Sequence, residues 1–402
     1  MQYRKMGKKI PWETSVLGFG CMRFPSKKIL GFIKKVDEPE AIRILRFAID
    51  NGVNYIDTAY GYHMGKSEVI VGKALQDGYR QKVHLVTKLP IWKVKATSDV
   101  EKYCREQLKK LQTDYLDIYL FHGLNKGRFQ LIKKLGLVAE MQKLKEKGLI
   151  KHFGFSFHDN FQVFKEIIDY HDWEACQIQW NYVDQDSQAT TRGLEYAASK
   201  GVAVIIMEPL KGGRLANPTA EVRAIFEKAP VQRTPADWGL QFVWNRPEVS
   251  VVLSGMSSFD QVKQNIESAE KSGAGKLTAT ELDVLKQVGD VFKKAILIPC
   301  TACEYCMPCP NGVAIPRNFA ILNSLSGHKN LKKARKEYAK LAASKGALNA
   351  AKDNGMATLC SKCKQCIEKC PQAIDIPAEL EKVNAVLTGA KPIAEVFPKK
   401  EG

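Results

Sequence analysis

The sequence predicts an α/β chain, a (β/α)8 TIM barrel followed by a small, mostly α-helical domain, and three observations carry that expectation. Short β-branched or aromatic apolar runs alternate with longer stretches of helical periodicity over about the first 290 residues, the pattern of repeated strand and helix units on a parallel sheet. Eight such units fit a closed barrel better than an open, doubly wound sheet. From Ile296 onward the composition shifts to cysteine, proline and lysine, which marks a second domain. At 402 residues and 45% hydrophobic content the chain can bury one large core and one small one.

The expected strands, in order, are Val16 to Cys21, Tyr55 to Thr58, Val83 to Lys88, Leu116 to Phe121, His152 to Phe155, Cys176 to Trp180, Val202 to Met207 and Ser250 to Ser254. Helical periodicity covers Glu38 to Asn51, Ser98 to Leu111, Phe129 to Lys147, Phe161 to Tyr170 and Ser187 to Lys200, with Gly52, Gly148 and Gly201 where helices stop. Ser272 to Gly275 reads as a short linker, and Thr278 with Glu281 as a capping box for one more helix. The domain boundaries expected are therefore 1–290 for the barrel, 296–390 for the cysteine domain and 391–402 for a tail.

Eight of the eleven cysteines fall in two runs, Cys300, Cys303, Cys306, Cys309 before Pro310 and Cys360, Cys363, Cys366, Cys370 before Pro371. The second run has the C-x2-C-x2-C-x3-C-P spacing that wraps a cubane 4Fe–4S cluster: three thiolates meet one cube, and the fourth is turned toward another. Both runs together predict two 4Fe–4S clusters. Structural zinc is the competing reading, although it takes two separated pairs of ligands around one ion. Between Cys306 and Cys309 stand only Met307 and Pro308 where three residues are expected, which leaves the cluster partner of Cys309 open. Cys21, Cys104 and Cys176 lie singly in apolar surroundings and read as small buried hydrophobes.

Formal net charge is +18, with a visible excess at Lys329, Lys332, Lys333, Arg335, Lys336 and Lys340. That run reads first as the wet face of a helix and second as a docking surface for an acidic electron carrier of ferredoxin or flavodoxin type. No recognition motif accompanies the charge, so nucleic acid is not an expected partner. Met1 to Ile10 is polar and basic with no apolar segment behind it, and no stretch reaches membrane-spanning length. A cytoplasmic protein with no membrane partner and no disulfides is expected.

With the strands so placed, Asp57 closes the second, Lys88 the third, His122 lies just past the fourth, and Tyr62 follows in the loop after Asp57. All four then face the C-terminal rim, where barrel enzymes carry their chemistry. A carbonyl that accepts hydride becomes an alkoxide in need of a proton. A tyrosine can supply it when a cation such as Lys88, itself paired with Asp57, lies beside the phenol, while His122 orients the same oxygen. Singly, each residue also has a plain structural reading as a turn cap, a solvated lysine or a core histidine.

Residues 1 to about 290 resemble the aldo-keto reductase family. The likeness rests on Leu17-Gly18-Phe19-Gly20-Cys21-Met22, Asp57-Thr58-Ala59-Tyr60-Gly61-Tyr62, Val86-Thr87-Lys88, Tyr115 to His122 and Phe153-Gly154-Phe155-Ser156. With the cysteine runs appended, the whole resembles the branch of that family with a C-terminal ferredoxin-type domain. The resemblance implies interconversion of a small carbonyl and an alcohol, NADP or NAD as cofactor, and Asp57, Tyr62, Lys88 and His122 as catalytic residues. It further implies cofactor contacts from Gly20, Met22, Ser156, Gln177, Met207, Lys211, Gly212, Gly213, Ser254, Gly255, Ser257, Ser258, Gln261 and Asn265. Phe157 replaces the asparagine usual after the serine, Met207 the stacking tyrosine, and Gly255 and Gln261 the basic pair that often holds a 2′-phosphate, with Lys263 as a substitute. Phe24, Tyr60, Trp92, Phe157 and Trp180 read either as an aromatic-lined pocket or as core packing. Nicotinamide moves two electrons and a cluster one, and no flavin motif is present to join them. The alternative reading is an electron-transfer or redox-sensing protein whose barrel binds nucleotide without turnover.

Overall fold

The computed structural model describes residues 1–29, 33–325, 330–341 and 355–398. Lys329 of the basic run, residues 399–402 of the expected tail and most of the Ala- and Lys-rich stretch between the cysteine runs lie outside the described residues. The chain divides into two compact units, Met1–Leu210 with Ala236–Leu282, and Lys211–Pro235 with the chain from Asp283 onward.

In the first unit two antiparallel strands, β1 (Tyr3–Met6) and β2 (Ile10–Ser15), precede the barrel. The barrel strands are β3 (Leu17–Gly20), β6 (Tyr55–Asp57), β7 (His84–Leu89), β8 (Leu116–Leu124), β9 (Ile150–Phe157), β10 (Ala175–Gln179), β11 (Ala203–Met207) and β12 (Val249–Ser254). A second antiparallel pair, β4 (Ser26–Ile29) and β5 (Ile33–Val36), lies in the loop after β3. Each barrel strand pairs in parallel with its neighbours in chain order, and β12 returns to β3 to close the ring. Strands covered on both faces need unbroken apolar runs, and β8 is buried at every position. At the N-terminal ends of the strands, Met6 and Ile10 pack against Tyr55, Ala175, Ala203 and Val251, so the first strand pair seals the end opposite the rim. Burial of Met6, Ile10 and Val251 contributes about 1.5–3 kcal/mol for each side chain. At Gly154 a side chain would stand 1.9 Å from the carbonyl oxygen of Ala175, which is why β9 and β10 can meet there only through glycine.

All eight expected strands are present, with two differences that matter at the rim. Strand β8 continues to Leu124, so His122 lies inside it, not past it; a register irregularity between Phe121 and Leu124 carries Gly123 at φ 63° and lets Leu124 pair again with Phe157. Strand β9 likewise runs through Ser156 and Phe157. The single helix expected over Phe129 to Lys147 is two, Lys126–Leu135 and Leu137–Glu146, because Gly136 at φ 63° ends the first. Thr278 and Glu281 form the expected capping box, with Glu281 N–H donating to Thr278 Oγ1 at 3.2 Å and Thr278 N–H to Glu281 Oε2 at 2.9 Å.

The cysteine-bearing part of the second unit is mostly helical, with Ile315–Asn323, Leu331–Leu341 and Ile376–Thr388 as its main helices. Its core is formed by Ile298, Val313, Phe319, Leu322, Tyr338, Ile376, Leu380 and Val383, with six of the eight clustered cysteines partly buried against it. Aligned at their Cys-Pro steps, Cys309 to Pro316 and Cys370 to Pro377 both end in Ile-Pro and both open a helix. The two halves of this domain are therefore built on one local plan.

Candidate functional site

Asp57 ends β6, Lys88 lies in β7, His122 in β8, and Tyr62 opens a short 3-10 turn after β6. Thr58 N–H donates to Val86 O at 2.9 Å and Tyr62 N–H to Ala59 O at 3.1 Å, which curls the chain back over the strand ends. The four side chains come together and are nearly withdrawn from solvent, at 2% exposure for Asp57, 1% for Lys88, 3% for His122 and 9% for Tyr62. Lys88 Nζ donates to Asp57 Oδ1 at 2.7 Å, to Thr58 O at 2.9 Å and to Tyr62 Oη at 3.4 Å. Three oxygen acceptors thus compensate a buried ammonium that would otherwise be costly. The His122 ring stands edge-on to Tyr62, with centroids 6.1 Å apart, and Trp92 packs 5.1 Å away on the same imidazole.

Burial first, then the positive charge of Lys88, pushes His122 well below the ordinary histidine range, so its imidazole is neutral near pH 7. Burial pushes the Asp57 carboxyl up, and the neighbouring Lys88 opposes it. A neutral imidazole still has one N–H to donate to an oxygen. The arrangement can place a phenol, an imidazole and a fixed positive charge around one reacting oxygen.

Three groups around this rim carry no simple sequence signal. Glu68, fully buried in helix Ser67–Ala74, accepts from Thr87 Oγ1 at 2.8 Å, and burial pushes its carboxyl up. Gln107 donates to Lys88 O at 3.1 Å while accepting from Tyr119 Oη at 2.6 Å, so a buried polar network fixes the strand that carries Lys88. Arg128 donates to Gly123 O at 2.6 Å, and a side chain at residue 123 would stand 2.8 Å from its Nη1. Helix-borne polar residues of this kind pass for surface positions until tertiary packing buries them.

The expected cofactor residues divide into several groups. Ser156 Oγ accepts from Gly123 N–H at 2.7 Å, and Gln177 Nε2 donates to Asp57 Oδ2 at 3.4 Å. Gln177 is 2% exposed and its Oε1 has no hydrogen-bond partner among the described residues. Such an orphaned carbonyl costs about 1–3 kcal/mol, and the amide of a nicotinamide carboxamide is a donor that would satisfy it. Met207 ends β11 half-buried, while Phe157 and Trp180 are core. Gly20 lies against the Ser254 carbonyl, and Met22 sits in the 3-10 turn Cys21–Arg23. Asn265 donates to Ser254 Oγ at 2.9 Å. Ser258 caps helix Phe259–Glu270 by accepting from Gln261 N–H, and Gln261 Oε1 accepts from Ser257 N–H at 2.7 Å. Gly255 leaves room for the Arg23 side chain, whose carbons lie 3.1–3.2 Å from where a Cβ would be. Lys211, Gly212 and Gly213 form a 3-10 turn and belong to the second compact unit.

In the second unit the cysteines surround two voids, and the two runs exchange members. One void is bordered by Cys300, Cys303, Cys306 and Cys370, the other by Cys309, Cys360, Cys363 and Cys366, with Cys306 also at its edge. Cys309 therefore joins the second run although its spacing is one residue short. Among the described residues no three His, Cys, Asp or Glu side chains are arranged to hold a single metal ion. Four thiols around a void fit a cube of iron and sulfide, whose thiolate ligands stand apart from one another.

The chain belongs to the aldo/keto reductase family, whose sequence profile matches residues 16–274, and a 4Fe-4S dicluster domain profile matches residues 299–375. It is an NAD(P)H-dependent oxidoreductase with an appended iron–sulfur domain. It is 25% identical over 290 residues to the probable aldo-keto reductase 1 of Glycine max, covering 63% of this chain and 81% of that protein. To the uncharacterized oxidoreductase YqkF of Bacillus subtilis it is 25% identical over 327 residues, covering 73% of this chain and 99% of that one. The holo form of aldo-keto reductase AKR11C1 from Bacillus halodurans superposes with a TM-score of 0.60 at 27% identity, over 72% of this chain and 96% of the other. None of the described helices is long and apolar enough to cross a membrane.

Proposed function

We propose that the barrel interconverts a small carbonyl compound and its alcohol, with Tyr62 as the general acid and base. The observation that carries this reading is the buried chain of contacts in which Lys88 Nζ touches both Asp57 Oδ1 at 2.7 Å and Tyr62 Oη at 3.4 Å. An ammonium beside a phenol stabilises the phenolate, so the proton of Tyr62 is ready to leave toward a developing alkoxide. Asp57 holds the ammonium in place, and neutral His122 donates to the substrate oxygen and orients it. Nicotinamide supplies the hydride when bound. Ser156 and Gln177 would hold its carboxamide, and Ser254, Gly255 and the capped end of helix Phe259–Glu270 offer hydrogen-bond donors to its phosphates.

The eight clustered cysteines, by this reading, bind two 4Fe–4S clusters, which supply one-electron storage when present. The test is oxidation of NADPH and NADH against a panel of aldehydes and ketones, with wild type and Tyr62→Phe side by side. Full activity in the variant would remove Tyr62 from the chemistry.

A further inference from the structure

The two cysteine-lined voids differ in charge and exposure. Around the one bordered by Cys309, Cys360, Cys363 and Cys366, residues Ser361 to Gln365 are all exposed, Cys363 included. Lys364 and Lys369 line that void directly, and Lys362 stands next to Cys363, paired with Glu381. The other void is lined by Phe319, Ile374 and Ile376, its charged neighbour is Glu304, and its four cysteines are only partly exposed.

Electron exchange between proteins needs a redox group close to the surface and a transient interface, and such interfaces are small and steered by charge. A collar of two lysines, Lys364 and Lys369, beside the exposed Cys363 meets both conditions. We propose that the exposed loop Ser361–Gln365, with Lys364 and Lys369, is the docking surface for a small acidic ferredoxin that exchanges single electrons with the cluster held by Cys309, Cys360, Cys363 and Cys366. This rests on the reading of the cysteines as cluster ligands. In the step itself the reduced ferredoxin loses one electron, the oxidised cluster gains it, and no proton or covalent bond is involved. Neighbouring ammonium groups favour the more negative, reduced core, so this cluster is the better electron acceptor of the two.

The basic helix Leu331–Leu341 is a poorer dock. Lys332, Lys333, Lys336 and Lys340 are exposed on it while Ala334, Tyr338 and Leu341 pack into the core, which is the ordinary wet face of an amphipathic helix. It contributes no residue to either void.

The experiment compares cluster reduction by dithionite-reduced plant-type ferredoxin, by stopped flow, in wild type, Lys364→Glu/Lys369→Glu and Lys332→Glu/Lys333→Glu/Lys336→Glu. The collar variant is expected to be slower by about tenfold or more at low salt, with the gap closing at high salt, and the helix variant within about twofold of wild type. Carbodiimide crosslinks to the ferredoxin should map to Lys364 or Lys369, and the milder Lys364→Gln/Lys369→Gln pair keeps the test readable if charge reversal releases iron. A slow helix variant with a normal collar variant, crosslinks confined to the helix, or coupling to a flavodoxin alone would overturn the proposal. Wild-type protein that binds no iron would instead remove the cluster reading beneath it.

Discussion

At the barrel rim Lys88 already donates to Asp57, Thr58 and Tyr62, held there by the register of three adjacent strands. In the cysteine unit, by contrast, the thiols ring two voids and each void takes its fourth thiol from the other run. The first site is assembled by backbone pairing and would persist without its cofactor. The second has a small apolar core, and much of its shape is defined by the group the voids would contain. One chain thus holds a preorganised polar constellation at the barrel rim and, on the proposed reading of the cysteines, a centre whose fold and ligand are linked.

The sharpest way to break that contrast is to remove cysteines in pairs. If the runs exchange members, Cys300→Ser/Cys370→Ser damages one cluster and leaves about four irons per chain, whereas Cys363→Ser/Cys370→Ser damages both and falls toward none. Separate clusters for each run predict the reverse, and iron analysis with electron paramagnetic resonance decides. At the rim the corresponding cut is Tyr62→Phe, which should lower kcat by about 10²–10⁴-fold with little change in cofactor affinity or thermal stability. Steady-state kinetics and a melting curve check both halves of that expectation.

Acid should separate the two regions next. His158, half-buried and pushed down to about 4 mainly by desolvation, and His122, buried and lower than its ordinary range for the same reason, are neutral in the folded barrel. The unfolded chain takes up these protons near pH 6.5, so the stabilising contribution is present above that value and is lost as pH falls toward 4. For His158 alone the loss is about 3 kcal/mol across that window. Asp57, pushed up by burial, acts with the opposite sign at the acid end. All six tryptophans lie in the first unit, so their fluorescence in urea titrations reports barrel unfolding alone. A barrel equally stable at pH 7 and pH 5, or a His158→Gln variant with an unchanged pH slope, would contradict the assignment.

How legible each region was follows from the kind of rule that built it. The barrel could be read because strand and helix units repeat and because apolar runs such as Leu116 to Phe121 must be buried on both faces. The extension of β8 through His122 could not, since it depends on the irregularity at Gly123 and on pairing with Phe157, a contact distant in sequence. The break at Gly136 was available in principle, as glycine in a helical stretch is a stop signal that the flanking periodicity outweighed. Counting residues between cysteines left Cys309 unassigned. Comparing Cys309-Pro310 to Ile315-Pro316 with Cys370-Pro371 to Ile376-Pro377 would have given it the same role as Cys370. Glu68 and Gln107 were unreadable because only packing turns two polar helix residues into the support of Lys88.

The smallest expected effect tests preorganisation itself. Gln177 keeps one amide hydrogen near Asp57 and holds its buried Oε1 without a donor, so the barrel carries an unmet hydrogen bond where a carboxamide would fit. Gln177→Met removes the orphaned oxygen and the bond that a cofactor would complete. Nicotinamide affinity should then fall by about tenfold, the worth of roughly 1.4 kcal/mol, while the apo barrel melts no lower than wild type because a buried unsatisfied group has gone. Fluorescence titration with NADPH measures the first and calorimetry the second. Lower apo stability with unchanged cofactor affinity would show that Gln177 serves Asp57 and the strand, and that the rim is complete before any ligand arrives.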